Sequence, residues 1–270
     1  MSKIMNWLAR KFAVLRTCWS VGRGWKGKRD LFVIFWRLFI RKPRWDVTRF
    51  TSVPCRVGHL ETMITVRHIS GDAIILKEMF VEKDYRALEQ LEFEPSVIYD
   101  VGANIGLAGV LLKGQFPRAR VIGFEPAPAE HAIACRNYAA LGLEPPFQIA
   151  IGNTNGLSRF FADFNYSGGQ HLLDGNDGTG IEVQVRRLAD FLREHSLPAP
   201  DLIKMDIEGA EELALRGMGE RLREVRAVIM ETHSPELHEA CTRMLKDAGM
   251  TAIHDHARSA TCRVLVMQRK

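Results

Sequence analysis

Short, almost wholly apolar runs recur along the second part of the chain, and each is followed by residues at helical spacing. They are VIYDV (97–101), VIGF (121–124), FQIAIG (147–152), LIKM (202–205) and AVIM (227–230). Runs without polar alternation are typical of strands covered on both faces, so they predict successive βα units. The runs at 251–254 and 261–268 lie too close together for a crossover helix. We therefore predict an α/β fold, a doubly wound sheet of about seven strands that ends in a C-terminal antiparallel hairpin.

The pattern differs in the residues that precede this sheet. Residues 97–270 are predicted to form the sheet domain, and residues 51–96 a cap segment that covers a binding site on it. In the cap segment we expect strands at 57–66 and 73–79 and a helix near 84–91.

Residues 1–50 form a third part, which we predict to be a helical extension. An apolar stripe at helical spacing predicts an amphipathic helix over residues 4–21 and consists of Ile4, Leu8, Phe12, Leu15 and Trp19. A basic, glycine-rich break at 21–30 follows. The apolar run at 31–40 is interrupted by Arg37 and is about half as long as a bilayer span.

Charge sets this extension apart. Residues 1–50 hold 13 of the 37 Lys and Arg residues, two of the 32 acids and all five tryptophans, so the remaining chain is net acidic. Cations beside tryptophans and aliphatic residues favour binding to an anionic membrane surface. The alternative is packing on the domain or on a second subunit of an oligomer. A nucleic-acid arm explains the charge but not the Leu, Ile and Phe content, so no nucleic-acid partner is predicted.

The cysteines bear on the compartment. Five cysteines are scattered without zinc-ligand spacing, which indicates a reducing environment rather than a disulfide scaffold. We expect a cytoplasmic protein that is peripheral at the inner face of the membrane.

The first candidate chemistry lies at the turn after residue 101. Gly102 and Gly106 bracket a tight turn between a strand and a helix, where a ligand can approach bare backbone N–H groups. Glu125 ends the next strand about twenty residues later, and a carboxylate there can accept ribose hydroxyls. Asn104 departs from the G-x-G-x-x-G dinucleotide pattern, and Asp100 suits a cationic aminoacyl group. S-adenosylmethionine (SAM) is thus favoured over NAD, which stays as the alternative.

Further acids follow the later strands. Asp206 and Glu208 come after one strand, and Glu231 and His233 end the next. Ligands of open α/β sheets bind at the carboxyl ends of the strands. Glu208 also fits a first-turn helix acid, favoured by the helix dipole. A polar loop at 165–180 carries Asn165, Ser167, Gln170 and His171, which either contact a substrate or are solvated.

Several motifs together resemble the FkbM-type SAM-dependent methyltransferases. They are VIYDVGANIG, GFEPAP, NYSGGQHL, LIKMDIEGAEELALRG and IMETH, within roughly residues 73–254. The resemblance implies a class I methyltransferase-like (Rossmann-like) fold, SAM as methyl donor, and O-methylation of a hydroxyl on a sugar, glycolipid or natural product. The cofactor site is then expected at Asp100, Gly102, Ala103, Asn104, Gly106, Glu125, Pro126 and Ala150. A NAD-dependent oxidoreductase and a non-catalytic scaffold remain the alternatives.

Such a reaction assigns roles to the later acids. A sugar hydroxyl is a poor nucleophile, so a neighbouring base should help. We expect Asp206 to be that base, with His233 as the second choice and Glu231 as the residue that positions it. Asp206, Glu208, Glu231 and His233 are alternatively expected to hold a divalent cation that acidifies the hydroxyl. The expected acceptor is a small molecule, a glycan or a lipid-linked glycan.

Overall fold

The computed structural model of the chain describes residues 3–39, 46–82, 84–161, 171–172 and 180–270. The first elements are two helices, α1 (Lys3–Val21) and α2 (Gly24–Arg37), which form a helical hairpin. An antiparallel pair follows, β1 (Asp46–Val57) and β2 (Leu60–His68), and then the short helix α3 (Ser70–Lys77). A π-helical turn (Glu78–Glu82) and a 3₁₀ turn (Asp84–Gln90) lead into the domain.

The sheet domain alternates strands and helices. Its elements are β3 (Val97–Val101), α4 (Leu107–Gln115), β4 (Arg120–Phe124), α5 (Pro128–Ala139), β5 (Ala150–Gly152), β6 (Gly156–Phe161), β7 (His171–Leu172), β8 (Ile181–Arg187), α6 (Leu188–Glu194), β9 (Leu202–Met205), α7 (Glu211–Met218), β10 (Ala227–Thr232), α8 (Pro235–Asp247), β11 (Met250–Ala257) and β12 (Arg263–Arg269). The central sheet has the order β11-β12-β10-β9-β3-β4. Its first four strands along the chain are parallel, and β12 pairs antiparallel with both β10 and β11. The predicted doubly wound sheet and C-terminal hairpin are confirmed.

Successive residues of the buried strands point to opposite faces of the central sheet. Tyr99, Ile203 and Val228 pack in one core cluster with the helices α6, α7 and α8. Ile98 and Leu202 pack in another cluster with α4 and α5. Both faces are therefore covered, which explains why these strands are apolar without alternation.

A second sheet continues from the edge of the first. It has the order β5-β8-β6-β7, and a parallel bridge between Phe124 and Phe147 links it to β4. Phe124, Phe147 and Phe191 stack at this junction, with ring centroids 4.9–5.9 Å apart. The aromatic contacts hold the start of β5, and hence Ala150, against the end of β4.

The helical hairpin and the β1–β2 pair share one core cluster with the domain. Val14, Phe35 and Val53 are buried together with Leu107 of α4 and Ile133 of α5. A buried Arg67 joins Asp72 to Glu130 of α5, with Nη–O distances of 2.8 and 2.9 Å. The extension is thus packed on the domain through one of its faces.

Three local predictions are wrong in this region. The expected strand at 73–79 is helical, because an unbroken apolar run such as Ala73–Leu76 fits a buried helix as well as a strand. The expected strand at 57–66 contains a hairpin turn, where Gly58 has φ +58°. The expected break at 21–30 is short, since α2 begins at Gly24.

Candidate active site

A cavity of about 240 Å³ opens at the carboxyl ends of β3, β4, β9 and β10. Its walls include most of the sequence-predicted site residues, namely Gly102, Ala103, Asn104, Glu125, Pro126, Ala150, Asp206, Glu208, Glu231 and His233. Ile75, Glu78 and Met79 close it from the cap segment, and Arg258 does so from the β11–β12 turn. Asp100 and Gly106 are absent from this lining.

The turn after β3 requires its glycines. Gly102 has φ +79°, and a Cβ there would lie 2.0 Å from the backbone oxygen of Asp206. Gly106 has φ +81° and precedes α4, with Ala134 and Tyr138 of α5 against it. Gly106 therefore allows close helix packing, whereas Gly102 brings the turn against the end of β9. Asn104 also has a positive φ, +50°.

Glu125 ties this turn to the end of β4. Its carboxylate accepts the backbone N–H of Asn104 at 2.7 Å and that of Ala127 at 2.8 Å. Complete burial raises the pKa of Glu125 to about 7, although the two N–H groups favour its charged form. Each oxygen keeps a second lone pair, so the carboxylate can accept the two hydroxyls of a ribose in the cavity.

The structure corrects the expected role of Asp100. Its side chain is fully buried, accepts the Tyr138 hydroxyl at 2.8 Å, and lies 3.1 Å from Nζ of Lys204. Lys204 separates it from the cavity, which Lys204 itself lines. The acid at the end of β3 therefore balances a buried lysine rather than facing a ligand. The lysine interrupting the apolar run LIKM was the signal for this pair in the sequence.

Asp206, Glu208, Glu231 and His233 converge at the wall formed by the ends of β9 and β10. Nε2 of His233 lies 3.1 Å from Glu208, 3.8 Å from Asp206 and 3.9 Å from Glu231. Glu208 has φ +53°, a conformation that non-glycine residues adopt mainly where the surroundings impose it. The backbone after β9 is thus bent so that its acids face His233.

Glu211 was missed by sequence reasoning. It is fully buried at the start of α7, and its carboxylate accepts Nδ1–H of His233 at 3.0 Å. It also accepts the N–H groups of Ile207 and Gly209. Glu211 thereby fixes the ring so that Nε2 faces the other acids. Its place in the motif DIEGAE, in register with the catalytic candidates, was the available signal.

Glu231 has other partners than expected. It was predicted to position His233, but its carboxylate accepts two hydrogen bonds from Arg258, at 2.7 and 2.9 Å, and one from the thiol of Cys262. Arg258 also pairs with Glu78 at 2.9 Å and lies 3.7 Å from Glu82. The β11–β12 turn and the cap segment are thus joined at the cavity.

The crowding of acids changes proton affinities. Burial raises the pKa of Glu208 to about 8, with Asp206 adding to the effect. Burial alone lowers the pKa of His233, but Glu211, Glu208 and Asp206 outweigh it and raise that pKa to about 9. In the absence of a ligand, the imidazole is therefore protonated at neutral pH and neutralises part of the acidic wall.

The same groups fit a divalent cation. Asp206, Glu208 and His233 each offer one ligand atom, and the three atoms lie within 4.8 Å of one another. A carboxylate behind a ligating histidine, as Glu211 is behind His233, is a common arrangement in metal sites. Asn165, Ser167 and Gln170 of the polar loop lie outside the described residues, and of His171 the structure describes only the backbone in β7.

Fold and site together define a class I methyltransferase, with a glycine turn and a buried acid at the ends of the first two strands of a Rossmann-like sheet. The family model of the Methyltransferase FkbM domain matches residues 100–252, more than half of the chain. The chain belongs to this family and is a SAM-dependent methyltransferase, as its motifs predicted. The NAD-dependent oxidoreductase and the non-catalytic scaffold are set aside.

Named relatives agree with this membership. The chain is 29% identical over 218 residues to Methyltransferase sdnD of Sordaria araneosa, covering 68% of this chain and 83% of that protein. It is 30% identical over 229 residues to 31-O-demethyl-FK506 methyltransferase FkbM of Streptomyces tacrolimicus, covering 70% and 86%. It is 32% identical over 166 residues to 2-O-methyltransferase NoeI of Sinorhizobium fredii, covering 55% and 68%.

Proposed function

We propose that this enzyme methylates a hydroxyl group of a sugar, glycolipid or natural product. The observation that carries the proposal is the His233 cluster, which sets carboxylates and an oriented imidazole in the same cavity as the glycine turn. The relative from Sinorhizobium fredii is named a 2-O-methyltransferase and that from Streptomyces tacrolimicus a 31-O-demethyl-FK506 methyltransferase. Another relative is named a hexuronic acid methyltransferase, of Haloferax volcanii.

The cofactor supplies an electrophilic methyl group, and the residues of this chain place and activate the acceptor. Aligning the hydroxyl with the methyl group and excluding water are expected to give most of the rate. Asp206 is the first group to accept the hydroxyl proton, because His233 is already protonated at neutral pH. The imidazolium of His233, which is oriented by Glu211, lies beside Asp206 and stabilises its negative charge before the hydroxyl proton reaches it.

The test uses methyl-labelled SAM and fractionated cell extract, with transfer of label to an acceptor as the readout. Asp206→Asn should reduce turnover on the order of a hundredfold while leaving SAM affinity nearly unchanged. Glu212→Gln is the control, because Glu212 lies on α7 next to Glu211 and, within the described residues, its hydrogen bonds and ion pair are with Arg216. Full turnover in Asp206→Asn contradicts the assigned role.

A divalent cation at Asp206, Glu208 and His233, with Glu231 nearby, is the second form of the proposal. Such an ion would lower the pKa of a bound hydroxyl, so that its deprotonation would depend less on a neighbouring base. Activity that disappears with a chelator and returns with Mg²⁺ or Mn²⁺ selects the cation. Activity that survives exhaustive chelation selects the base.

We also propose that the extension holds the enzyme at an anionic membrane surface on the cytoplasmic side. Phe12, Leu15 and Trp19 of the predicted stripe are solvent-exposed, since α1 packs on the rest of the chain through Val14 and Cys18 instead. Large apolar side chains between 38 and 74% exposed form the outer face of the helical hairpin and are Phe12, Leu15, Trp19, Trp25, Phe32 and Trp36. No helix among the described residues is long and apolar enough to cross a bilayer.

Two cations join this outer face into one surface. Lys28 of α2 lies 3.9 Å from the ring centre of Trp19, and Lys11 of α1 lies 5.3 Å from that of Trp36. Aromatic rings with neighbouring cations match the headgroup region of an anionic bilayer, where each Lys or Arg adds about 1 kcal/mol of attraction. Thr17 of α1 also hydrogen-bonds to the backbone oxygen of Phe80, so the extension is joined to the cap segment that closes the cavity. A lipid-linked acceptor would diffuse in the membrane plane that the enzyme occupies.

Co-sedimentation with phosphatidylserine-containing and neutral vesicles tests the location. The full chain should sediment with the anionic vesicles at low salt, and Phe12→Ser/Trp19→Ser/Trp25→Ser should remain in the supernatant. Leu157→Ser, at a site equally exposed but in the second sheet, is the matched control. A wild-type chain that ignores the vesicles and dimerises through this face supports the packing alternative instead.

A further inference from the structure

Lys204 is a buried cation in the middle of an apolar strand. It is 2% exposed, and its ammonium lies 2.5 Å from the backbone oxygen of Gly102, 3.4 Å from that of Val101 and 3.1 Å from Asp100. Burying a lysine with its acid is seldom a source of stability, because apolar residues of similar volume serve as well. The pair therefore requires a functional explanation.

The position of Lys204 in the cavity supplies one. The cationic residues of the cavity lining, among the described residues, are Lys204, His233 and Arg258. His233 and Arg258 are each bound to carboxylates of the acidic wall. Lys204 is paired with Asp100, which lies outside the cavity lining, and donates to the backbone oxygen of Gly102 at the glycine turn, which Glu125 also contacts through the N–H of Asn104.

The methionyl end of SAM requires a particular pair of partners. Its carboxylate needs a cation, and its ammonium needs carbonyl or carboxylate oxygens. With the ribose on Glu125, the methionyl group would be held along the turn, where Lys204 would supply the cation and Gly102 the nearest carbonyl oxygen. Asp100 makes neither contact, since it lies behind Lys204 and outside the cavity lining.

We propose that Lys204, and not Asp100, binds the methionyl carboxylate of the cofactor. Asp100 keeps the lysine charged and directs its ammonium to the turn. The proposal rests on the SAM dependence of the enzyme and adds the residue that recognises the amino-acid half of the cofactor.

Calorimetry of the full chain with two unreactive probes tests this role. S-adenosylhomocysteine carries the amino-acid group, whereas 5′-methylthioadenosine lacks it and keeps the adenosine. Lys204→Met should weaken the affinity for S-adenosylhomocysteine about ten- to a hundredfold, as expected for the loss of a charged hydrogen bond. The affinity for 5′-methylthioadenosine should change by less than about twofold. Lys246→Met, at an exposed position on α8, should change neither.

Removing Lys204 alone leaves the Asp100 carboxylate buried without its cation, which destabilises a fold. The measurement is therefore repeated in Asp100→Asn/Lys204→Met, which should show the same selective loss of affinity for S-adenosylhomocysteine.

If the double variant loses affinity for both probes to the same extent, Lys204 has a structural role and the proposal is overturned. Undiminished binding of S-adenosylhomocysteine in the double variant also overturns it. If the wild-type chain binds neither probe, the cofactor assignment itself fails. That result is read from the wild type and is therefore distinct from the two results in the double variant.

Discussion

Glu125 should make cofactor binding depend on pH within the physiological range. Burial raises its pKa to about 7, and ribose hydroxyls that donate to its carboxylate favour the charged form. A carboxyl group with this pKa is ionised in roughly one molecule in eleven at pH 6 and about ten in eleven at pH 8. The apparent affinity for SAM should therefore increase about tenfold between these pH values, with release of a proton.

Isothermal calorimetry in buffers of different ionisation enthalpy measures both the affinity and the proton. Glu125→Gln should abolish the pH dependence of SAM affinity, because the amide does not titrate. It should also weaken that affinity, because the amide NH₂ group would face the backbone N–H of Asn104 or Ala127, which needs an acceptor. A cost of about 1.5–3 kcal/mol corresponds to roughly ten- to a hundredfold in affinity. Glu144→Gln, at an exposed site, is the control. Affinity that is flat from pH 6 to pH 8 in the wild type would refute the reasoning.

Two further predictions concern stability. Gly102→Ala should destabilise the protein by several kcal/mol and abolish SAM binding, because the new Cβ would lie 2.0 Å from the backbone oxygen of Asp206. Gly142→Ala is the control, since Gly142 also has a positive φ but has open space around it, and it should cost only about 1 kcal/mol. Chemical unfolding measures both changes in the free energy of unfolding. The ligand-free protein should also lose stability as pH rises from about 5 to 9, because the folded pKa values of Glu125, Glu208 and His233 lie above their unfolded ones. A higher melting temperature at pH 9 than at pH 6 contradicts this assignment.

The sheet and the outline of the site could be predicted because their signals are local. Strands buried on both faces must be apolar throughout. The turn after β3 needs glycine at position 102 because the backbone there has a positive φ, and a glycine directly after an apolar run is a sequence signal for such a turn. The acids after β9 and β10 were expected to meet because parallel strands end at the same edge of a sheet. Ala150 also lines the cavity, as the resemblance implied.

The remaining features depend on contacts between distant residues. Asp100 is adjacent to the turn in sequence, yet whether it faces the cavity depends on Lys204, about a hundred residues later. Glu211 holds His233, and Glu231 holds Arg258, through the same kind of long-range contact. The helix at α3 was misread because its apolar run has no periodicity of its own and takes its form from the surfaces around it.

The shared core of the extension has a consequence during synthesis. Val14 and Phe35 pack in one cluster with Ile133, which leaves the ribosome about a hundred residues after Phe35. At synthesis rates of about 5–20 residues per second, this cluster waits on the order of 5–20 s for Ile133. During this interval the hairpin can pack on β1 and α3, which it contacts directly, but the core cluster is incomplete and the outer face is uncovered. The helical hairpin therefore leaves the ribosome before the sheet domain, and a chaperone or a membrane surface can bind its outer face before the catalytic domain exists.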